Sequence, residues 1–579
     1  MAAPTIINSE EHFFNITYEG NGGGQRVGRF LPFTDQATIA NSVIFNSADS
    51  AKLERTPSSN GSGTTFTISF WYKPTKIATS YSLFDNAPGG SAANIFSIIV
   101  NSDNTILIHG FDSGGSFSLN LATNRTFEDT SKFYHFLVAV DTTQGTSTNR
   151  VKFYVDGDQV TSLSSTTYPA QDATYGTNQT SVKQAVGYYP HDGSRYADAY
   201  FAEFNLIDGQ ALLPASFGIT DTSTGRWIPK TVEPFPTTTT DIAVTVVSSG
   251  GNKYALDGVT QGTVTLIEGA TYKFDQSDSS NSGHPLRFST TSDGTHGSGS
   301  EYTTGVTTVG TPGSSGAYTQ ITVATGAPTL YYYCSNHSGM GGTANTQDQY
   351  GTNGFRLTFA DSSAFGDDTS GKGNDLTATN LASTDQTTDS PTQNHFTLDP
   401  NKTGTGNTLS EGNLKIVTST SDNNSGFNSD KLIGNSGKYY FEAVDTNSTN
   451  WGLGINAIAN VTSSGTTPDV SEAYLFLKTG TISVNGTQVA SQYSAWSDGA
   501  TLGIAIDMDN KQIKLYVNNT LTHTISNIIV RGREYFIMGR DYSGSGSQTI
   551  TFNFGQKSFT YTPPTGFLAL QQDNLPTTD

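Results

Sequence analysis

The 579-residue chain has a single cysteine, Cys334, which excludes an internal disulfide framework. A secreted eukaryotic protein of this length ordinarily carries several disulfides. Their absence fits a protein made in a reducing cytoplasm and exported without oxidative folding. No apolar run approaches the roughly 20 residues that a membrane span needs, so no membrane insertion is expected. The first residues, MAAPTIINSEEHFFN, lack a basic stretch followed by an apolar one, so no secretory signal peptide is expected. Positive charge is scarce. Thirty Lys and Arg stand against 50 Asp and Glu, a formal net charge of -20, and no basic cluster occurs. Binding to nucleic acid needs such clusters, and that class of partner is excluded. Runs of Ala, Leu, Glu and Lys are missing, so long helices are not expected. Neither heptads nor a 20–50-residue repeat is present, which rules out a coiled-coil or repetitive shaft.

What is abundant points to β structure. The chain has 61 Gly, 27 Tyr and 33 Phe, with Ser, Thr and Asn plentiful. Thr, Val, Tyr and Phe suit pleated, half-buried surfaces, and Gly, Asn and Asp suit the turns between them. A chain of this length holds about three or four domains. Residues 1–35 are Gly- and Asn-rich and read as an extended arm. Strand-like segments then recur at 66–73 (FTISFWYK), 106–109, 133–141 (FYHFLVAVD), 151–155 (VKFYV) and 200–207 (YFAEFNLI). Asp156-Gly157 after the fourth is a hairpin signal. In FTISFWYK, Phe66, Ile68 and Phe70 alternate with Thr67, Ser69 and Trp71, the pattern of a sandwich strand with one solvated face. A Pro/Thr linker at 231–241 (TVEPFPTTTTD) separates this block from six short strands between 242 and 333, a pattern that suits a small Greek-key barrel or sandwich. An irregular connector is expected over 350–436, apart from the strand 355–359 (FRLTF). A third β block runs from Gly437 to about residue 570, followed by a frayed tail. The fold class expected is all-β, built from several β-sandwiches.

Each block resembles a known family. SFWYK at 69–73, FYHFLVAVD, VKFYVDGDQV at 151–160 and YFAEFNLIDGQAL at 200–212 resemble, in that order, a laminin-G-like, concanavalin-like sandwich over residues 36–230. That resemblance implies glycan or protein binding. Some members are glycosidases, which need two carboxylates flanking the bond; Glu203 is the sole acid in its strand. A plain scaffold is the alternative. Over 437–579, GKYYFEA, WGLGI, GIAIDMDNKQIKLYVNN and FNFGQKSFTYTPPTGFLAL resemble a SPRY domain, with a start near residue 395 as the other boundary. SPRY domains are binding sandwiches without catalytic machinery. For Trp71, Trp451 and Trp496 a core position outweighs a glycan platform. Trp227 stays open. Asp- and Asn-rich loops suit calcium, but no EF-hand-like spacing supports it.

Residues 231–349 resemble a cupredoxin. Cys334-Ser-Asn-His337-Ser-Gly-Met340 follows the strand LYYY, and His284 lies 50 residues upstream. One thiolate, two imidazoles and a weak axial thioether make a type 1 copper site. The resemblance therefore implies copper held by His284, Cys334, His337 and Met340. The alternative is a cupredoxin fold without its metal, with Cys334 as a small buried hydrophobe. His296, in a Gly-rich stretch, reads as a surface residue.

The whole chain resembles a structural protein of marine tailed phages, especially those of cyanobacteria. INSEEHFFNITYEGNGGGQRVGRFLPF, GQALLPASFGITDTSTGRWIPK and YGTNGFRLTFADSSAFGDDTSGKGNDLTATN carry that resemblance. It makes residues 231–349 an insertion between WIPK and YGTNGF. It implies a non-enzymatic tail fibre or receptor-binding appendage on the virion surface. Its partners are other virion proteins, contacted through the 1–35 arm, and a host surface glycan or protein. By analogy with fibres it is a homo-oligomer, a trimer. A capsid decoration or head fibre, an adaptor, and a copper-binding or glycan-degrading enzyme are the alternatives.

Overall fold

The structure is a computed structural model. It describes residues 38–88, 93–222, 224–230, 239–324, 326–404, 406–418, 426–447, 450–457, 469–529, 534–542 and 547–575. The 1–35 arm and residues 231–238 of the linker lie outside these. The described residues form β-strands joined by turns and 3-10 segments, with no α-helix among them.

Six sheets pair into three sandwiches. In the first, one sheet is centred on Thr65–Pro74, Tyr134–Asp141 and Ala199–Asp208, and the other on Tyr81–Ala87, Phe96–Val100 and Thr105–Phe111. Alternation drives the packing. Phe66, Ile68, Phe70 and Tyr72 point between the sheets and join Phe136, Val138, Phe201 and Phe204 in one core. Each such side chain contributes about 1.5–3 kcal/mol by leaving water. The third sandwich is built the same way, around Lys438–Asn447 and Thr501–Asp507 on one sheet and Trp451–Asn456 and Tyr535–Asp541 on the other.

The stretch 350–436 is not an irregular connector. Phe355–Leu357 pairs with Ala199–Asp208, Thr377–Thr379 with Lys52–Arg55, and Gln386–Thr387 with Ser42–Phe45, all within the first sandwich. From Leu398–Thr403 onward the chain belongs to the third sandwich. These strands are only two to six residues long and, apart from Phe355–Leu357, mostly polar. Backbone ladders to pre-existing edges hold them, rather than apolar runs that would show in the sequence. The tail is also held as far as Leu575, through the Gln571–His395 bridge and the Gln572 N–H on the Asn394 carbonyl.

The first and third sandwiches share a core. Ile44, Trp71, Phe133 and Tyr200 from the outer face of one sheet cluster with Phe396, Phe441 and Phe554. In the same contact Lys73 Nζ lies 2.9 Å from Asp389 Oδ2, with side chains 1% and 0% exposed. Trp71, Trp451 and Trp496 are all buried.

The second sandwich, residues 239–347, has its own core around Tyr254, Phe274, Phe288 and Tyr332. Its sheets are mixed, with parallel pairs between Thr240–Ser248 and Thr271–Asp275 and between Val264–Ile267 and Gly342–Gln347. Both its roots lie against the first sandwich. The Lys230 N–H donates to the Phe217 carbonyl on one side, and Tyr350 packs with Phe217 on the other.

Candidate metal centre

At one end of the second sandwich the strand Leu330–Cys334 pairs antiparallel with Leu286–Ser289, with Cys334 opposite Leu286. That register sets Cys334 beside His284, two residues before the facing strand position. His284 is fixed through its backbone. Its carbonyl accepts from Tyr254 Oη and Gln276 Nε2, both at 2.8 Å, and its N–H donates to the Asn281 carbonyl at 2.8 Å. Gln276 is itself buried and accepts from the Leu286 N–H at 3.1 Å.

The loop after Cys334 is braced from three sides. The Ser335 N–H donates to the Pro285 carbonyl, and Asn336 Nδ2 donates to the Gly283 carbonyl at 3.0 Å. The Gly339 N–H donates to Asp293 Oδ1 at 2.8 Å, and Lys253 Nζ donates to the Gly339 carbonyl. The Met340 carbonyl accepts from the Tyr254 N–H at 2.9 Å. Gly341 then doubles back so closely that a Cβ there would stand 1.7 Å from the Tyr332 carbonyl oxygen, so this reversal requires glycine.

These constraints bring three ligand atoms to one point. Cys334 Sγ lies 3.8 Å from His284 Nδ1 and 3.7 Å from His337 Nδ1. An ion bonded to a thiolate at about 2.3 Å and to imidazole nitrogen at about 2.0 Å, with angles near 120°, sets each S···N separation at about 3.7 Å. The observed distances fit that trigonal arrangement. Among the described residues this is the one group of three His, Cys, Asp or Glu side chains with ligand atoms within 4.8 Å of one another. Cys334 and His284 are buried and His337 is exposed. Met340 is buried in the same apolar cluster as Cys334. Burial, with the neighbouring His337, holds His284 below the ordinary histidine range, so its imidazole is in the neutral form that a metal requires. A copper ion held by His284, Cys334 and His337 would supply one-electron redox chemistry; the chain's own residues fix these donors, bury Cys334 and leave the His337 ring at the surface.

Sequence reading missed two supports. His296 is exposed, as expected, but its Nε2 meets the Cys334 carbonyl at 3.1 Å, and the carbonyl accepts. Asp293, in left-handed conformation, caps Gly339. Both lie about 40 residues before the loop they brace, and neither has a sequence signal linking it to Cys334.

The family described as "Concanavalin A-like lectin/glucanases superfamily", a laminin-G family, matches residues 45–217. No curated protein matches the chain. Three solved structures similar to parts of it are the SPRY domain of human HERC1, stonustoxin, and a native heptameric SAP-like pentraxin from Limulus polyphemus. The first is 16% identical and covers 28% of this chain and 99% of its own, with a TM-score of 0.24. Stonustoxin is 22% identical over 28% of this chain and 27% of its own, at 0.23. The pentraxin is 14% identical over 30% and 79%, at 0.23. The all-β, multi-sandwich class stands on the sheets themselves and on the matched family.

Proposed function

We propose that the chain is a non-catalytic binding protein of a phage virion surface, a tail fibre or receptor-binding appendage that recognises a host glycan or protein. The observation that carries this reading is the fusion of the first and third sandwiches through a shared core and the buried Lys73–Asp389 pair. Two folds of kinds that commonly present ligands are thereby joined through one continuous core, leaving their loops free to vary. The matched lectin-type family over 45–217 supports the binding half. The virion half rests on the phage-like segments named above. In this reading residues 1–35 dock onto neighbouring virion proteins, and a symmetric oligomer, a trimer, turns weak single sites into avidity. Gold-labelled antibody to the chain, imaged on intact particles, tests it. Label at tail tips or fibres is expected. Label spread over the capsid indicates a decoration protein instead, and absence from particles removes the virion reading.

The His284–Cys334–His337 geometry favours a second, compatible property, that the inserted sandwich holds copper. Adding Cu(II) to the purified chain should give intense blue absorption that Cys334→Ser abolishes. No colour, or colour that survives Cys334→Ser, contradicts it.

A further inference from the structure

The outer face of the first sandwich carries a set of polar groups separate from the metal ligands. Along Thr65–Pro74 the residues between the core side chains, Ser69 and Trp71, face outward, and His135 stands directly across from Trp71. On the neighbouring strand Ala199–Asp208 the register shifts between Ala202 and Asn205, and Glu203 takes a left-handed φ of 46°. This bulge keeps both Phe201 and Phe204 in the core and re-aims Glu203 outward. Arg356, from the strand that pairs beyond the bulge, holds the carboxylate with two bonds of 2.9 and 3.1 Å. Ser69, Trp71, His135, Glu203, Lys230 and Arg356 line a cavity of about 160 Å³, room for a single sugar ring.

The hydrogen bonds fix the protons. Burial pushes His135 down to about 3, so its ring is neutral. The Trp227 indole N–H, which can only donate, meets His135 Nδ1 at 3.1 Å. The ring proton is therefore on Nε2, which donates to Ser69 Oγ at 2.9 Å. Ser69 has no further partner among the described residues, so its hydroxyl hydrogen is available to a ligand. This polarity is the reverse of a serine–histidine dyad, in which imidazole takes the serine proton. Among the described residues Glu203 is the one carboxylate in the lining, so these residues offer no acid and base pair for glycoside cleavage. Glu203 and Arg356 neutralise each other. Lys230 Nζ has one hydrogen bond among the described residues, to the Ala215 carbonyl at 3.4 Å. Within a chain of net charge -20, this cavity thus presents a positive charge with no acidic partner among the described residues, beside aromatic and hydroxyl side chains.

We propose that this cavity binds an acidic sugar residue, a hexuronate. Lys230 and the Ser69 hydroxyl take the carboxylate, and Glu203 accepts from a ring hydroxyl. The assignment rests on the glycan-binding reading above and names the substrate class and site. The test is titration of the full chain, followed by NMR, with methyl glucuronide, methyl glucoside and acetate. Methyl glucuronide should bind at least about tenfold more tightly than either control. Lys230→Met should reduce it to the glucoside level, and Ser69→Ala should weaken it several-fold, with both variants unfolding at the wild-type temperature. Equal affinity for glucuronide and glucoside, no saturable binding, or unchanged binding by Lys230→Met overturns the proposal. If glucuronide fails while the chain still blocks phage adsorption, the cavity assignment falls and the appendage reading stands. If glucuronide binds through Lys230 but adsorption is unaffected, the reverse holds.

Discussion

Single residues carry unequal weight here, and the buried charges carry most. Asp389 Oδ2 accepts from Lys73, and its Oδ1 accepts from the His395 N–H. Removing the lysine leaves a carboxylate sealed between two sandwiches. Lys73→Met should cost about 3–5 kcal/mol in denaturant unfolding, and adding Asp389→Leu should recover much of it. Asp85 is a different case. It is fully buried, and burial, only partly offset by the Ser97 hydroxyl, Arg195 and the Ser82 hydroxyl, raises its carboxyl well above the usual range. A raised folded-state value favours folding below the unfolded value of about 3.9. That contribution is lost as pH rises toward the folded value. Asp85→Asn removes this dependence. It should be more stable than wild type at neutral pH by more than about 1.4 kcal/mol, the worth of one pKa unit, and the advantage should vanish below about pH 4. An advantage that does not change with pH contradicts the assignment.

Elements explain why so many acids appear in loops. Asp103, Asp129, Asp141, Asp278 and Asp361 each accept, on one oxygen, both the N–H and the hydroxyl of the Ser or Thr two residues on. The carboxylates build their own turns. The Ser363 hydroxyl and N–H hold Asp361 below its ordinary range. The turn is therefore fully formed above the unfolded value and weakens as pH falls through the folded one. In Ser363→Ala, NMR titration should find Asp361 ionising at higher pH than in wild type, with the fold unchanged. Legibility in the sequence follows the same logic. Long strands with alternating apolar residues, such as 66–73 and 133–141, could be read directly, as could the ligand loop, where Cys334, His337 and Met340 lie within seven residues. FRLTF at 355–359 could be read as a strand, but the short strands Thr377–Thr379 and Gln386–Thr387 could not, because they are polar and the core residues before them, Phe365 and Leu376, are scattered among polar ones. Nor could the cavity, which depends on the backbone angle of Glu203.

At the scale of the whole molecule, the inserted sandwich is an appendix to a fused pair. Both its roots close on Phe217, and its core is separate. Replacing residues 231–347 with a short Gly/Ser linker should leave the unfolding transition of the remaining protein within a few degrees of wild type and abolish metal binding. Loss of cooperative unfolding would show that the insertion is part of the platform. The platform itself is the proposal: a pair of sandwiches joined through one core, proposed to be repeated on a particle and to meet a host surface. The most direct test is competition. Host cells pre-incubated with the purified full chain should adsorb phage less, in proportion to chain added. Undiminished adsorption at saturating protein would contradict the receptor-binding account.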